Sequence, residues 1–325
     1  MPFTARILLA SQVSQADTSK RRTVVTARES TADGATRTDP RVVLITGAGS
    51  GIGAATAIAF ADRGWTVYAT DVETPLPAPV ADRCRTRQLD VADAEQCQTV
   101  VEAITAETGR IDALVNNAGY AVSGPVEDVP VEEVRDEFDV LVHGVHRLVR
   151  LVLPGMRERG EGRIINVSSV LGLSAYQGLG GYAAGKAALE ALTDSLRLEL
   201  RGTGVDVALV EPPWVDTDFD EQARERLADL DRTGAYAESY AALEEGWALD
   251  GGPLAISPAT VAATVVDAAS DPSPRARYPV GSVATFIRWA HWLPASVQDP
   301  IRDAFGWATV RIQRLDARLR QWLSG

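Results

Sequence analysis

Tyr182 and Lys186 stand four residues apart in "GGYAAGKAALEALTDSLRLEL", a stretch over 180 to 200 rich in strong helix formers. On a helix that spacing puts both side chains on one face. A phenol that titrates near ~10 is a poor base at neutral pH, and an ammonium beside it favours the phenolate. The pair therefore suits acid/base work on an oxygen atom. The lysine stands out in another way. Of 32 Lys plus Arg, only Lys20 and Lys186 are lysines. A compact ammonium on a flexible stem can reach sugar hydroxyls beside the tyrosine, a task that a planar guanidinium does not share.

A second constellation lies in "VVLITGAGSGIGAATAIAFADRG", where a hydrophobic strand, a glycine-dense turn and an Ala-rich helix follow one another. Glycines 47, 49, 51 and 53 let the backbone turn sharply and approach a ligand closely. The helix start then offers unpaired N–H groups to an anion, as in dinucleotide sites. The second strand ends at Thr70, and Asp71 follows. A carboxylate there can bond free ribose hydroxyls and repels a 2′-phosphate, while neither Ser50 nor Val72 supplies a cation. NAD is expected as cofactor, with NADP less favoured.

These groups need elements to position them. Short β-rich runs, "RVVLIT", "WTVYAT", "RTRQLD", "IDALVNN", "RIINVSS" and "VDVALVEP", alternate with helical segments that include "VEEVRDEFDVLVHGVHRLVRLVLPGMRERG". Such alternation predicts βαβ units and a buried parallel sheet, a doubly wound α/β fold. After residue 213 the chain reads as helical from 216 to 249, then as a helix in "SPATVAATVVDAAS" with Ser257 as N-cap before Pro258, then as a last short strand in "RARYPV". The expected organisation is a disordered extension over 1–40, one dinucleotide-binding domain with a helical lid over 41–280, and a helical extension over 281–325.

Residues 1–40 show no sustained apolar period and carry six basic against four acidic residues. Composition favours a disordered extension over a transit-like segment. The net charge of −12 argues against a nucleic-acid partner, because binding phosphates needs a basic face. Cys84 and Cys97 lie in no CxxC or Cys/His cluster, so neither a disulfide framework nor a metal site is suggested, and a reducing cytoplasm fits. No apolar run approaches the ~18 residues of a membrane span. In "VRIQRLDARLRQWL", Ile312, Leu315, Leu319 and Trp322 share a stripe flanked by arginines. Docking on protein is favoured for it over contact with an anionic membrane surface.

Four signals occur in order: "TGAGSGIG" over 46–53, "NNAG" over 116–119, Ser169 thirteen residues before Tyr182, and "YAAGK". In these the chain resembles the short-chain dehydrogenase/reductase family in its shorter single-domain form, over about residues 41–280. The resemblance implies a nicotinamide cofactor and a homo-oligomer. It implies Tyr182 as acid/base, Ser169 polarising the alcohol or carbonyl oxygen, and Lys186 holding the nicotinamide ribose while lowering the tyrosine pKa. Gly47, Ser50, Gly51, Ile52 and Gly53 resemble the pyrophosphate and nicotinamide-side contacts, Asp90 and Val91 the adenine contacts, and Asn117, Ala118 and Gly119 the strand end beneath the cofactor. Pro212, Val215 and Thr217 fall where the family meets the nicotinamide. Asn116 reads as a possible sheet brace only.

Two positions depart from the family pattern. Leu141 stands where an Asn usually helps to hold the lysine and a relay water, and Pro212-Pro213 replaces Pro-Gly, removing a backbone N–H. The substrate wall would draw on Tyr120, Ala175, Tyr176, Gln177, Trp214, Phe219 and Tyr236 or Tyr240, which suggests an apolar alcohol or ketone, steroid-, retinoid- or lipid-like. Several of these aromatics also suit lid packing. The expected function is hydride transfer between NAD(H) and such a substrate. A non-catalytic dinucleotide-binding regulator of the same fold is the alternative, kept open by Leu141.

Overall fold

Five consecutive apolar or β-branched residues form β1 (Val42–Thr46), and all five are buried, as a strand covered by helices on both faces requires. The computed structural model describes residues 40–245, 249, 251–304 and 311. After β1 come α1 (Gly51–Asp62), β2 (Thr66–Asp71), the short α2 (Ala78–Ala81), β3 (Arg85–Gln88), α3 (Ala94–Thr108) and β4 (Ala113–Asn116). The second half holds α4 (Val131–Phe138), a π-helical stretch (Asp139–Gly144), α5 (Val145–Arg159), β5 (Gly162–Val167), α6 (Gly180–Glu199) and β6 (Val205–Glu211). Then follow α7 (Phe219–Ala228), α8 (Ala237–Glu245), α9 (Pro258–Ser270), β7 (Arg277–Pro279) and α10 (Gly281–Ala290).

The sheet is parallel throughout, in the order β3-β2-β1-β4-β5-β6-β7. Register places Leu44 beside Tyr68 on one side and Leu114 on the other. Because the order reverses at β1, a crevice opens beyond the carboxyl ends of β1 and β4. Ala57 and Phe60 of α1 join Val261 and Val265 of α9 in the core on one face. Cys97 and Ile104 of α3, Leu148 and Met156 of α5 and Leu189 of α6 fill the other. Ser257 caps α9 as expected, accepting from the Thr260 N–H, and Asp93 caps α3, accepting from the N–H groups of Glu95 and Gln96.

The segment expected as one helix near 131–157 is helical but not uniform. Its π-helical stretch carries Leu141, and at its end Gly144 lies so close to the β3–α3 loop that a Cβ would stand 2.8 Å from Val91 Cγ2. Helix α10 returns to the domain through Arg288, 3.0 Å from Glu211, and through His291 Nδ1, 2.6 Å from the Leu173 carbonyl. The expected N-terminal extension, except Pro40, and the stripe from Ile312 to Trp322 lie outside the described residues. Among the described residues no helix is long and apolar enough to cross a membrane.

Candidate active site

The glycine turn owes its shape to contacts that admit no side chain. Gly47 and Gly51 have φ of 66° and 48°, a region that disfavours residues with a Cβ. A Cβ at Gly53 would collide with the Gly47 carbonyl, and one at Gly51 would sit 2.8 Å from Thr217 Cγ2. Asn117 holds the turn from beneath: its Nδ2 donates to the carbonyls of Thr46 and Gly47 at 3.1 and 2.9 Å. Ser50 caps α1 with no side-chain bond, which leaves the first-turn N–H groups facing the crevice. Asp71 Oδ2 accepts from the Gly49 N–H at 2.8 Å, joining the β2 end to the turn.

A cleft of about 1120 Å³ follows the strand ends from Asp71 to Trp214 and Phe219. It is lined by Gly47, Ser50, Gly51, Ile52, Asp71, Asp90, Val91, Asn117, Ala118, Gly119, Ser169, Tyr182, Lys186, Pro212, Val215 and Thr217, so nearly every residue singled out in the sequence meets there. Gly53 lies behind the turn and does not line it. The residues fit an extended dinucleotide, with an anion cradle at the α1 start and a carboxylate at the β2 end. Asp90 turns its Oδ1 to the Ala92 N–H at 2.8 Å. Asn116 is a brace, its Nδ2 donating to Asn166 Oδ1 at 2.8 Å in the buried sheet.

At the far end, Ser169 follows β5, its Oγ accepting from the Leu171 N–H at 3.1 Å, and lies near enough to the Tyr182 hydroxyl to influence it. Tyr182 and Lys186 share a face of α6, with Nζ 5.5 Å from the phenol ring centre. Lys186 is buried and donates to the Val167 carbonyl at 2.8 Å. Burial lowers its pKa to about 8, opposed by the charges of Glu190 and Glu137. In the protein alone the Tyr182 phenol is pushed up, by burial first and by the Glu137 charge second, with the Ser169 hydroxyl opposing. The expected lowering by Lys186 is not among the influences on the phenol, which are burial, Glu137 and Ser169. Leu141, also buried, fills the space beside the lysine: Cβ atoms at Gly119 and Gly185 would stand 2.7 and 2.9 Å from its methyl carbons.

Tyr120, Trp214 and Phe219 line the cleft as expected, and Phe219 meets Tyr182 edge to face at 5.5 Å. Ala175 and Tyr176 line an adjoining apolar cavity of about 460 Å³, which shares Val170, Leu171 and Trp214 with the cleft. Tyr236 and Tyr240 belong instead to the lid, their hydroxyls donating to Glu127 and Asp128 at 2.5 and 2.7 Å. Gln177 lines neither cavity.

Sequence reasoning missed the buried acids behind the site. Arg277 of β7 pairs with Glu190 and Asp194 of α6 and, at 2.7 Å, with Glu211. Glu137 of α4 is wholly buried. Its Oε1 accepts from the Val122 N–H at 3.1 Å, and burial raises its pKa to about 7. Among sequence signals only the Gly181/Gly185 spacing, which lets another helix approach closely, hinted at it.

Residues 41–228 match the short chain dehydrogenase family, and the chain belongs to it. A 3-ketodihydrosphingosine reductase from Bacteroides thetaiotaomicron is 35% identical over 204 residues, 62% of this chain and 73% of that protein. A crystal structure of a short chain dehydrogenase/reductase from Burkholderia phymatum in complex with NAD superposes with a TM-score of 0.68 at 28% identity, covering 78% of this chain and 93% of that one. A closed form of serine dehydrogenase complexed with NADP+ gives 0.60 at 29% identity, covering 73% and 93%.

Proposed function

We propose that this chain is an oxidoreductase moving a hydride between NAD(H) and a hydrophobic secondary alcohol or ketone of steroid-, retinoid- or lipid-like character. The observation that carries the reading is the meeting of Ser169, Tyr182 and Lys186 at one end of a cleft whose other end is the glycine turn and Asp71. NAD, when bound, supplies the nicotinamide carbon that accepts or gives the hydride. Gly47, Ser50, Gly51 and Ile52 receive the pyrophosphate, with Gly53 and Asn117 keeping the turn closed behind it. Asp71 takes the adenosine ribose hydroxyls, Asp90 and Val91 flank the adenine, and Ala118 and Gly119 floor the cleft. Pro212, Val215 and Thr217 border the nicotinamide end.

In this reading the Ser169 hydroxyl polarises the substrate oxygen, Tyr182 gives or takes its proton, and the Lys186 ammonium holds the neighbouring ribose. Asp71 supports NAD over NADP, since a 2′-phosphate would bring negative charge against it and Val72 offers no cation. The apolar walls and the cavity behind Leu171 support a hydrophobic substrate, as does the relative named 3-ketodihydrosphingosine reductase. Free Cys84 and Cys97 support a cytoplasmic setting, and we place the protein there as a homo-oligomer.

Leu141, packed against Gly185 beside the lysine, favours the competing reading of a non-catalytic dinucleotide-binding regulator. The test is NADH formation or consumption with sterols, retinoids and long-chain and small secondary alcohols or their ketones. Turnover on apolar members with NAD is expected. Tight NADH binding with no turnover on any member supports the regulator.

A further inference from the structure

Lys186 feels the charge of two buried carboxylates, and they are unequally committed. Glu190 is ion-paired with Arg277 through Oε2, although its Oε1 is likewise buried without a hydrogen-bond partner. Glu137 is held by one oxygen only: Oε1 accepts from Val122, whereas Oε2 is buried without a hydrogen-bond partner. That second oxygen lies against α6, where a Cβ at Gly181, the residue before Tyr182, would collide with it. One turn further on, Leu141 packs against Gly185 and walls the lysine with hydrocarbon. The charged and titratable groups facing Glu137 are Lys186 and Tyr182 from α6, Arg226 from α7, Tyr120 from the β4–α4 loop and Glu133 from its own helix. A buried carboxylate with an open acceptor against the backbone of the residue before an acid/base tyrosine is placed to hold a proton.

We propose that Glu137 is the internal proton store of the Tyr182/Lys186 pair. The inference rests on the oxidoreductase reading above. In alcohol oxidation the Tyr182 hydroxyl proton leaves as its O–H bond breaks and ends on Glu137 Oε2, where a new O–H bond forms. Neither Lys186 nor Tyr182 hydrogen-bonds Oε2 in the structure, so in this step the Lys186 Nζ leaves the Val167 carbonyl, gives one N–H proton to Oε2 and takes another from the tyrosine, starting and finishing as an ammonium. The phenolate then accepts the alcohol proton. In ketone reduction the same steps run backwards, and no electrons move in this exchange. Glu137 touches neither substrate nor cofactor and acts only through Lys186 and Tyr182. Its own pKa, raised to about 7, suits a group that exchanges protons at neutral pH.

The test compares wild type, Glu137→Gln and Glu137→Asp as full chains, reading kcat between about pH 5 and 9 together with pH-difference infrared spectra of the carboxyl band. Wild type should show an inflection near pH 7 in kcat and a protonated carboxyl that titrates there. Glu137→Gln should lose both and fall about 10-fold or more in kcat with little change in the KM for NAD, and Glu137→Asp should restore the inflection. A Glu137→Gln protein that keeps the inflection and its kcat overturns the proposal. So does a wild-type profile without an inflection near pH 7, which decides the matter even if the variant does not fold. Absence of turnover in wild type on all substrates defeats the oxidoreductase reading instead, and the infrared titration then still shows whether Glu137 holds a proton at neutral pH.

Discussion

At the scale of single residues, Lys186 and Glu137 carry the sharpest expectations. Lys186 is buried at the edge of the cleft, its Nζ donating to the Val167 carbonyl, and a guanidinium is too broad and planar to take that place. Lys186→Arg should lower kcat by at least about 100-fold in steady-state assays even though the charge is kept. Glu137 gives a stability prediction whose sign follows from its raised pKa. Between 4.5 and about 7 the unfolded chain has released this proton and the folded protein still holds it, so the Glu137 contribution destabilises increasingly as pH rises and is complete above about 7. At 1.4 kcal/mol per pK unit the penalty is about 3 kcal/mol. Glu137→Gln should therefore exceed wild type in urea stability at pH 8, with the advantage vanishing near pH 4.5. Tyr182, Lys186 and the glycines were legible in the sequence because their meaning lies in short local spacing. Glu137 was not, since in "VEEVRDEF" it reads as one more charge on a solvated helix face, and only packing on Gly181 buries it.

At the scale of elements, the strand ends bring together the residues proposed to face the cofactor, and β2 ends in Asp71, the residue proposed to choose it. Asp71 both lines the cleft and accepts the Gly49 N–H, so its replacement bears on the glycine turn as well as on the proposed ribose contact. Asp71→Ala with Val72→Arg should shift the ratio of kcat/KM toward NADP by at least about 10-fold while raising the Kd for NAD, because an exposed position 72 leaves room for the new cation. Unchanged preference for NAD would remove Asp71 from its role. The alternation of β-rich and helical runs made the order of these elements readable in advance. The π-helical stretch at Asp139–Gly144 was not readable, because no local propensity marks it and it forms where the helix presses against Val91 and Gly185.

At the scale of the whole molecule, one buried ionic network binds distant parts of the chain behind the site. Arg277 and Arg288, far along the sequence, neutralise Glu190 and Glu211, which are nearly inaccessible. Removing Arg277 leaves two buried carboxylates with too little positive charge. Arg277→Met should destabilise the protein by about 3–5 kcal/mol in chemical denaturation. Such a network joins residues whose pairing only the fold decides, which is why sequence spacing gave no sign of it. The apolar cavity behind Leu171 and Trp214 is likewise a product of α10 returning to the domain, and it adds apolar surface beside the cleft. The central claim, that this fold performs hydride transfer with Tyr182 as acid/base, is tested most directly by comparing wild type and Tyr182→Phe for NADH turnover on apolar alcohols and ketones, with NADH binding measured in parallel. The account predicts turnover in wild type and loss of nearly all of it in Tyr182→Phe with NADH binding retained. Equal turnover in the two proteins, or NADH binding without turnover in either, would contradict it.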